Sequence, residues 1–149
     1  MWLDRSLARM MAGRRRPMKT VNVVAAIIKQ GRTILGTQRG YGDFAGGWEF
    51  PGGKIEPGET PEEAVVREVH EELEVRIAVD SLVTVVDYDY EAFHLHMHCF
   101  LCHVVDGQLE LHEHRAARWL DASNVDSVDW LPADIEVIQA IKDQGILDS

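Results

Sequence analysis

With 149 residues, 25 acidic and 15 basic side chains and a net charge of −10 at pH 7, the chain is not expected to form a nucleic-acid-binding surface. Hydrophobic residues make up 46% of it, enough for one globular domain, and no apolar run approaches the roughly 18 residues that span a bilayer. Its two cysteines, Cys99 and Cys102, do not make a disulfide framework, which favours a reducing cytoplasm.

The first 17 residues differ in charge from the rest of the chain. They hold five arginines and one aspartate, a net charge of +4, which leaves −14 on residues 18–149. No clear apolar core or cleavage site of a targeting peptide is visible. We therefore expect a disordered basic extension at 1–17 and one domain at 18–149. A targeting peptide or a polyanion-binding arm is the alternative.

The first part of the domain is predicted to contain three strands. Residues 21–28 are almost continuously apolar and rich in β-branched side chains, which indicates a buried central strand. A turn at 30–32 and a strand at 33–39 would form a hairpin with it. A glycine-rich loop at 40–47 then leads to a short strand at 48–50. The glycines of this loop and at 52 and 53 are not in a P-loop, because no Gly-Lys-Ser/Thr sequence leads from them into a helix.

The next segment predicts a helix with a strong start signal. Thr60 can cap the N-terminus, Pro61 suits the first helical position, and Glu63 completes a capping box. At the helical period, four apolar side chains share a face that can pack into a core: Val65, Val66, Val69 and Leu73. The positions left for solvent are Glu63, His70 and Glu74.

Three carboxylates share another face of this helix, at spacings of three and four residues: Glu68, Glu71 and Glu72. Like charges at this spacing repel one another. Hard divalent cations such as Mg²⁺ would remove that repulsion, because they prefer oxygen ligands. From these residues alone, a solvated acidic face is the alternative.

After this helix, the sequence predicts further strands and one more helix. The predicted strands lie at 83–88, 93–105, 108–111 and 117–120, with a hairpin signal at Asp106-Gly107. A second helix is expected at 132–142, ended by Gly145. The sum is an α+β domain in which a mixed sheet is flanked by helices.

Residues 53–75 follow a fixed pattern, G-x5-E-x7-R-E-V-x-E-E-x-E-V. This pattern resembles the signature box of the Nudix (MutT-like) hydrolases, except that Glu74 stands where the family has glycine. In the family the chain turns left-handed there, and a glutamate held in that conformation would cost about 1–2 kcal/mol; a different helix end is the alternative. The resemblance implies an α/β/α sandwich and a hydrolase that uses Mg²⁺, or Mn²⁺, to cleave nucleoside diphosphates linked to another group.

The resemblance also implies roles for individual residues. The metal ligands would be the Gly52 carbonyl, Glu68, Glu71, Glu72 and Glu113, which lies six residues before Trp119. The catalytic group would comprise Glu71, Glu72 and Glu113 with the supporting pair Glu59 and Arg67. Substrate binding would fall to Arg39, Phe50, Lys54, Tyr90 and Asp134.

Three of these residues are candidates for contact with the nucleotide base. Phe50, Tyr90 and Asp134 would line the base pocket, but plain core packing is the alternative for Phe50 and helix-start stabilisation is the alternative for Asp134. An ionised Asp134 would accept a hydrogen bond from the cytosine amino group and repel guanine O6.

Residues 94–99 place three histidines on one face of a strand. His94, His96 and His98 could bind a transition metal, but neighbours spaced by about 6–7 Å fit a tetrahedral site poorly. Cys99 and Cys102 should point to opposite faces. We expect partly buried polar histidines near the nucleotide pocket.

The C-terminal segments HEHRAARW and LPADIEVI are similar to the nucleoside triphosphate branch of the family, and within it to the CTP pyrophosphohydrolases. We expect release of a nucleoside monophosphate and pyrophosphate, with a preference for cytosine nucleotides. The alternatives are a sanitising enzyme for 8-oxo-dGTP and a non-catalytic nucleotide-binding module. The expected partner is a small nucleotide, without nucleic acid or membrane, and the expected state is a cytoplasmic monomer or homodimer.

Overall fold

The computed structural model describes residues 18–112 and 114–149. Its elements, in chain order, are β1 (Lys19–Gln30), β2 (Thr33–Arg39), β3 (Trp48–Glu49), β4 (Gly52–Lys54), α1 (Pro61–Leu73), β5 (Arg76–Asp89), β6 (Phe93–Asp106), β7 (His114–Leu120), a 3-10 turn (Val125–Ser127) and α2 (Pro132–Asp143). No helix within those two ranges is long and apolar enough to cross a membrane. The expected extension at 1–17 and the candidate site residue Glu113 lie outside the described residues.

The sheet is built around the parallel pairing of β1 with β6. Their register runs from Lys19 opposite Phe93 to Ile28 opposite Cys102. β5 pairs antiparallel with β6, and β4 pairs antiparallel with β1. β2 meets β1 at their shared turn and pairs with both β3 and β7. The sheet is therefore mixed, as the α+β prediction required.

Side-chain alternation along the central strands separates two hydrophobic cores. Val23 and Ile27 of β1 face the core that includes Val137 of α2. Val24 and Ile28 face the opposite core, which is closed by α1. The sheet thus lies between the two helices in an α/β/α sandwich, as the sequence pattern indicated. The same alternation places Cys99 in one core and Cys102 in the other, as predicted.

Two predicted strands differ from those observed. The strand expected at 83–88 is the second half of β5, whose first half escapes detection because register shifts at 79–81 and 82–84 break its alternation. The strand expected at 108–111 is wrong. Gly107 turns the chain with φ of 95°, and the Glu110 N–H then donates to the Leu73 carbonyl at 2.9 Å. This segment therefore packs against the end of α1 instead of joining the sheet.

Helix α1 forms as its sequence predicts. The Thr60 side chain accepts from the Glu63 N–H, and the Glu63 side chain accepts from the Thr60 N–H, so both halves of the capping box are made. Buried apolar side chains on its inner face are Ala64, Val65, Val69 and Leu73. The positions expected to face solvent do so: Glu63, His70 and Glu74.

Glu74 ends α1 in the left-handed conformation, with φ of 58° and ψ of 22°. A side chain in this conformation costs about 1–2 kcal/mol relative to glycine. Its carboxylate Oε2 lies 3.0 Å from His112 Nε2, and both side chains are about half exposed. An exposed pair of this kind contributes only about 0.2–1 kcal/mol. The pair does not offset the backbone strain.

Candidate active site

The acidic face of α1 is only partly exposed. The Glu68 and Glu72 side chains are 12% and 4% exposed, whereas Glu71 is 58% exposed. Strand β4 lies directly against this face, because a Cβ atom on Gly53 would come within 2.4 Å of the Glu68 carboxylate. A Cβ atom on Gly52 would lie 1.9 Å from the Val24 carbonyl oxygen. The two glycines allow β4 to fit between β1 and α1.

Arg67 joins the loop before α1 to the acidic face. Its Nε and Nη2 donate to the two carboxylate oxygens of Glu59 at 2.6 and 2.9 Å, and Nη2 also donates to the Lys54 carbonyl at 3.0 Å. Its Nη1 donates to Glu68 at 2.9 Å and to Glu71 at 3.2 Å. The hydrogen bonds from Arg67 lower the pKa of Glu59 to about 2. Arg67 thus holds the loop and two candidate metal ligands together.

The acidic face has the chemistry of a hard-cation site. Burial, with the nearby charges of Glu68 and Glu49, raises the pKa of Glu72 to about 8. Burial also raises the pKa of Glu68. Within residues 18–112 and 114–149, no three acidic, histidine or cysteine side chains are grouped closely enough to hold an ion. The carboxylates nevertheless offer the oxygen donors that Mg²⁺ and Mn²⁺ prefer, and a cation would relieve their crowding.

A buried polar cluster connects this face with the interior. Arg39 is fully buried and its Nη1 lies 3.0 Å from Glu49 Oε2. The ring of His114 is also buried, and its Nε2 lies 3.8 Å from both Glu49 Oε1 and Glu72 Oε2. Burial, together with the charge of Arg39, lowers the pKa of His114 to about 4, so the ring is neutral at pH 7. The cluster thus reaches from β2 and β3 to α1.

Sequence reasoning missed two members of this cluster, Glu49 and His114. Only Arg39 was named, as a phosphate contact, and its guanidinium lies in the interior against Glu49. The available signal for Glu49 was a charged residue between two aromatic residues in a strand. A charge in such a position is almost never buried without a partner.

Asp134 lies at the start of α2, in the core on the other face of the sheet. It is 3% exposed, and its Oδ1 accepts from the Phe50 N–H at 3.5 Å. Tyr90 is nearby, since its hydroxyl accepts from the Ala133 N–H at 3.2 Å. The Phe50 ring stacks on Trp130 at a centroid distance of 4.9 Å. The three predicted base-pocket residues are therefore brought together, with Phe50 also packed in the core.

The surroundings of Asp134 weigh against the expectation that it is ionised. Burial, with the charge of Glu49, raises the pKa of Asp134 well above its usual range. Both effects favour the neutral carboxylic acid over the carboxylate. In that form, the group can donate one hydrogen bond and accept others.

Phe44, in the glycine-rich loop, was not predicted to belong to the site. It is 40% exposed, has φ of 66°, and places its ring 5.3 Å from that of Tyr90. Strained backbone of this kind concentrates at functional sites. An aromatic residue inside a run of glycines was the signal in the sequence.

The histidine strand faces away from the base-pocket residues, so the expectation of histidines near that pocket is wrong. His98 stacks on Phe100, which belongs to the core under α1. His94 contacts Asp89 at 2.5 Å and Asp87 at 2.9 Å, and His96 contacts Asp87 at 2.6 Å. The sheet separates these histidines from Asp134. They form a polar ladder with β5 across the sheet surface.

Comparison with known proteins agrees with this geometry. The family model described as the NUDIX domain matches residues 18–141. The CTP pyrophosphohydrolase of Escherichia coli strain K12 is 38% identical over 126 residues, covering 83% of this chain and 92% of the relative. The 8-oxo-dGTP diphosphatase of the same strain is 32% identical over 127 residues, covering 84% and 98%.

Solved structures give the same result. The solution structure of the E. coli ORF135 protein has a TM-score of 0.72 and 39% identity, covering 84% of this chain and 90% of that one. The crystal structure of the MutT NUDIX hydrolase from Burkholderia pseudomallei has a TM-score of 0.67 and 29% identity, covering 83% and 97%. With the signature pattern on α1 and the observed sandwich, these matches show that the chain belongs to the Nudix hydrolase family of enzymes.

Proposed function

We propose that this enzyme is a nucleoside triphosphate pyrophosphohydrolase that prefers cytosine nucleotides. The supporting observation is the buried Asp134 carboxyl group, which accepts from the Phe50 N–H and lies one residue from the Tyr90 contact at Ala133. The carboxylate-bearing helix α1 lies on the other face of the sheet. A relative of 38% identity that bears the name CTP pyrophosphohydrolase also supports it. The enzyme would act on free nucleotides, as a monomer or homodimer in the cytoplasm.

The residues that would hold Mg²⁺ or Mn²⁺ are Glu68, Glu71, Glu72, Glu113 and the Gly52 carbonyl. Bound there, the cation would neutralise phosphate oxygens and lower the pKa of a coordinated water. The fit rests on the donor set, because oxygen ligands of high negative charge suit these ions. The choice between the two ions is open to a direct metal-dependence measurement.

The protein's own groups would carry the proton and orient the reactants. A water oxygen attacks phosphorus and the P–O bond of the phosphoanhydride between the α and β phosphates breaks, so that the products are the nucleoside monophosphate and pyrophosphate. Glu72 is a candidate to accept the water's proton, because a bound cation would hold its buried carboxyl group in the ionised form. Glu71 and Glu113 are the other candidate bases. Arg67 and Glu59 keep the acidic face in position.

Arg39 and Lys54 are proposed to contact the phosphates. Lys54 lies on β4, where its carbonyl is held by Arg67 at 3.0 Å. Arg39 is fully buried and paired with Glu49 at 3.0 Å, so this pair would have to open before its guanidinium could contact a phosphate. Its planar guanidinium suits phosphate oxygens as well as carboxylates.

A neutral carboxyl group at Asp134 would suit two kinds of base. Cytosine offers an acceptor at N3 beside a donor at N4, and 8-oxoguanine offers an acceptor at O6 beside a donor at N7. A carboxylic acid matches either pair, whereas normal guanine presents two acceptors at O6 and N7. Hydrolysis of 8-oxo-dGTP is therefore the second candidate function, supported by a relative of that name. A non-catalytic module is disfavoured because every carboxylate of the signature is present.

A turnover panel over normal, methylated and oxidised nucleotides tests the proposal. With Mg²⁺ or Mn²⁺ present, we expect CTP and dCTP to yield the monophosphate and pyrophosphate, with a higher kcat/KM than GTP. Release of inorganic phosphate as the first product would contradict the reaction. A higher kcat/KM for 8-oxo-dGTP than for dCTP would select the second candidate.

A further inference from the structure

The segment at 107–112 lies against the C-terminal end of α1. The Glu110 N–H donates to the Leu73 carbonyl at 2.9 Å. A Cβ atom on Gly107 would come within 2.7 Å of the Glu74 carbonyl oxygen, so the two backbones are nearly in contact. Glu74 Oε2 and His112 Nε2 add a side-chain contact at 3.0 Å. Three separate contacts hold this segment to the helix end.

This segment leads directly into the candidate active site. Two residues after His112, β7 begins at His114, whose buried ring lies 3.8 Å from the Glu72 carboxylate. The intervening residue in the sequence is Glu113, the proposed metal ligand. The Glu74–His112 contact therefore lies two residues before the buried His114 ring.

Stability does not explain why glutamate occupies position 74. The residue adopts the left-handed conformation that favours glycine. Its half-exposed contact with His112 stabilises the fold by less than the backbone strain destabilises it. Strained backbone concentrates at functional sites, so a functional role for Glu74 is the better explanation. The same residue is the one departure of this chain from the signature pattern.

We propose that Glu74 and His112 form a tether that positions the 107–112 segment, and with it the start of β7, against the metal-binding helix. Both act as positioning residues for hydrolysis, because neither side chain points to the reacting atoms itself. The inference rests on the proposed function, in which Glu72 and Glu113 act on the phosphates. A loosened segment would lower kcat and leave KM nearly unchanged.

Substitutions at position 74 separate positioning from stability. Glu74→Gly removes both the strain and the tether, so we expect Tm to rise by a few degrees while kcat falls by up to about fivefold, which is the most that an exposed pair of this kind can contribute. His112→Asn should lower kcat by a similar factor, and the double variant should lose no more than either single variant. Glu74→Gln keeps an acceptor for His112 and should retain most of kcat.

A second contact of the same kind supplies the control. Asp80 Oδ2 lies 2.9 Å from His103 Nδ1, and both side chains are about half exposed, but the pair joins two strands of the sheet, β5 and β6, and does not join the 107–112 segment to α1. Asp80→Asn should leave kcat unchanged. If Glu74→Gly keeps wild-type kcat, or if its loss is no larger than that of Asp80→Asn, the tether is overturned.

Glu113→Gln separates failure of the tether from failure of the proposed function. A loss of turnover in this variant, with wild-type kcat in Glu74→Gly and His112→Asn, would reject the tether alone. Full turnover in Glu113→Gln would reject the role of Glu113 and, with it, the basis of the inference. We expect losses in all three variants, largest for Glu113→Gln.

Discussion

The metal side and the base side of the site are built from different kinds of contact. On the metal side, Arg67 binds Glu59, Glu68 and Glu71 and the Lys54 carbonyl, all within one short stretch of chain. On the base side, Phe50 and Asp134 are distant in sequence and meet only in the core. The first arrangement is local and partly exposed, whereas the second depends on how the whole sheet packs.

This difference separates chemistry from selectivity. A short helix–loop unit can keep its charge pattern while the rest of the chain changes, because Arg67 and the groups it binds lie within residues 54–71. On the base side, a substitution at a single core position can change the hydrogen-bonding groups that face the base. Removing charge from α1 should therefore affect every substrate, and changing Asp134 should affect the ratio between substrates.

The largest effect is expected for Glu72→Gln. Loss of a charge that stabilises the transition state typically costs about 10²–10³ in rate, and loss of a metal ligand costs at least as much, so kcat with Mg²⁺ should fall by that factor for all nucleotides. Glu71→Gln should behave similarly. Tm should remain near wild type, because α1 packs through Val65 and Leu73. Near-normal turnover, measured beside the exposed control Glu62→Gln, would contradict the assignment.

A substrate-dependent effect is expected for Asp134→Asn. The amide keeps one donor group and one acceptor but fixes them, whereas the acid can exchange them between its oxygens. We expect kcat/KM for dCTP to fall and the relative value for dGTP to rise, because the amide always offers two N–H donors to the guanine acceptors, whereas the carboxyl group offers at most one. The measured quantity is the dCTP/dGTP ratio in both proteins. An unchanged ratio would mean that Asp134 stabilises α2 and does not read the base.

A smaller, pH-dependent effect is expected from the contact between Glu59 and Arg67. The pKa of Glu59 is about 2 in the folded state and 4.5 as the model-compound value. Its stabilising contribution is therefore complete above about pH 4.5 and is lost as the pH falls through 2. Urea unfolding between these pH values should show that the free energy of unfolding falls more steeply with decreasing pH in wild type than in Glu59→Gln. Parallel pH profiles would show that the pair adds no pH-linked stability.

The smallest catalytic effect is expected on the histidine strand. His94→Ala and His98→Ala change the surface opposite Asp134, so the Mg²⁺ dependence of turnover should match wild type. His94 has its pKa raised by hydrogen bonds to Asp89 and Asp87, so any change should appear as lost stability at mildly acidic pH. Magnesium-dependent turnover that stops in a folded variant would place the histidines in the site.

Local signals were enough to predict α1 and the Nudix family, but not the features made by distant residues. The capping box and the signature pattern lie within one stretch and were readable directly. The first half of β5 was missed because its bulges break the period of two. The ionisation of Asp134 could not be predicted, since it depends on burial by α2 and on Glu49. Glu49 and His114 were missed because their partners lie on other elements.

The long parallel register between β1 and β6 has a consequence for biosynthesis. β1 leaves the ribosome well before β6, and in the meantime β4 and the turn into β2 offer it only short pairings. Contacts of such large sequence separation form slowly because the intervening loop must close. The apolar run at 21–28 is thus unpaired and solvent-exposed during synthesis, which makes the nascent chain prone to aggregate. Pulse-labelled hydrogen exchange during refolding should show β1 and β6 amides gaining protection together, and early protection of β1 alone would contradict this order.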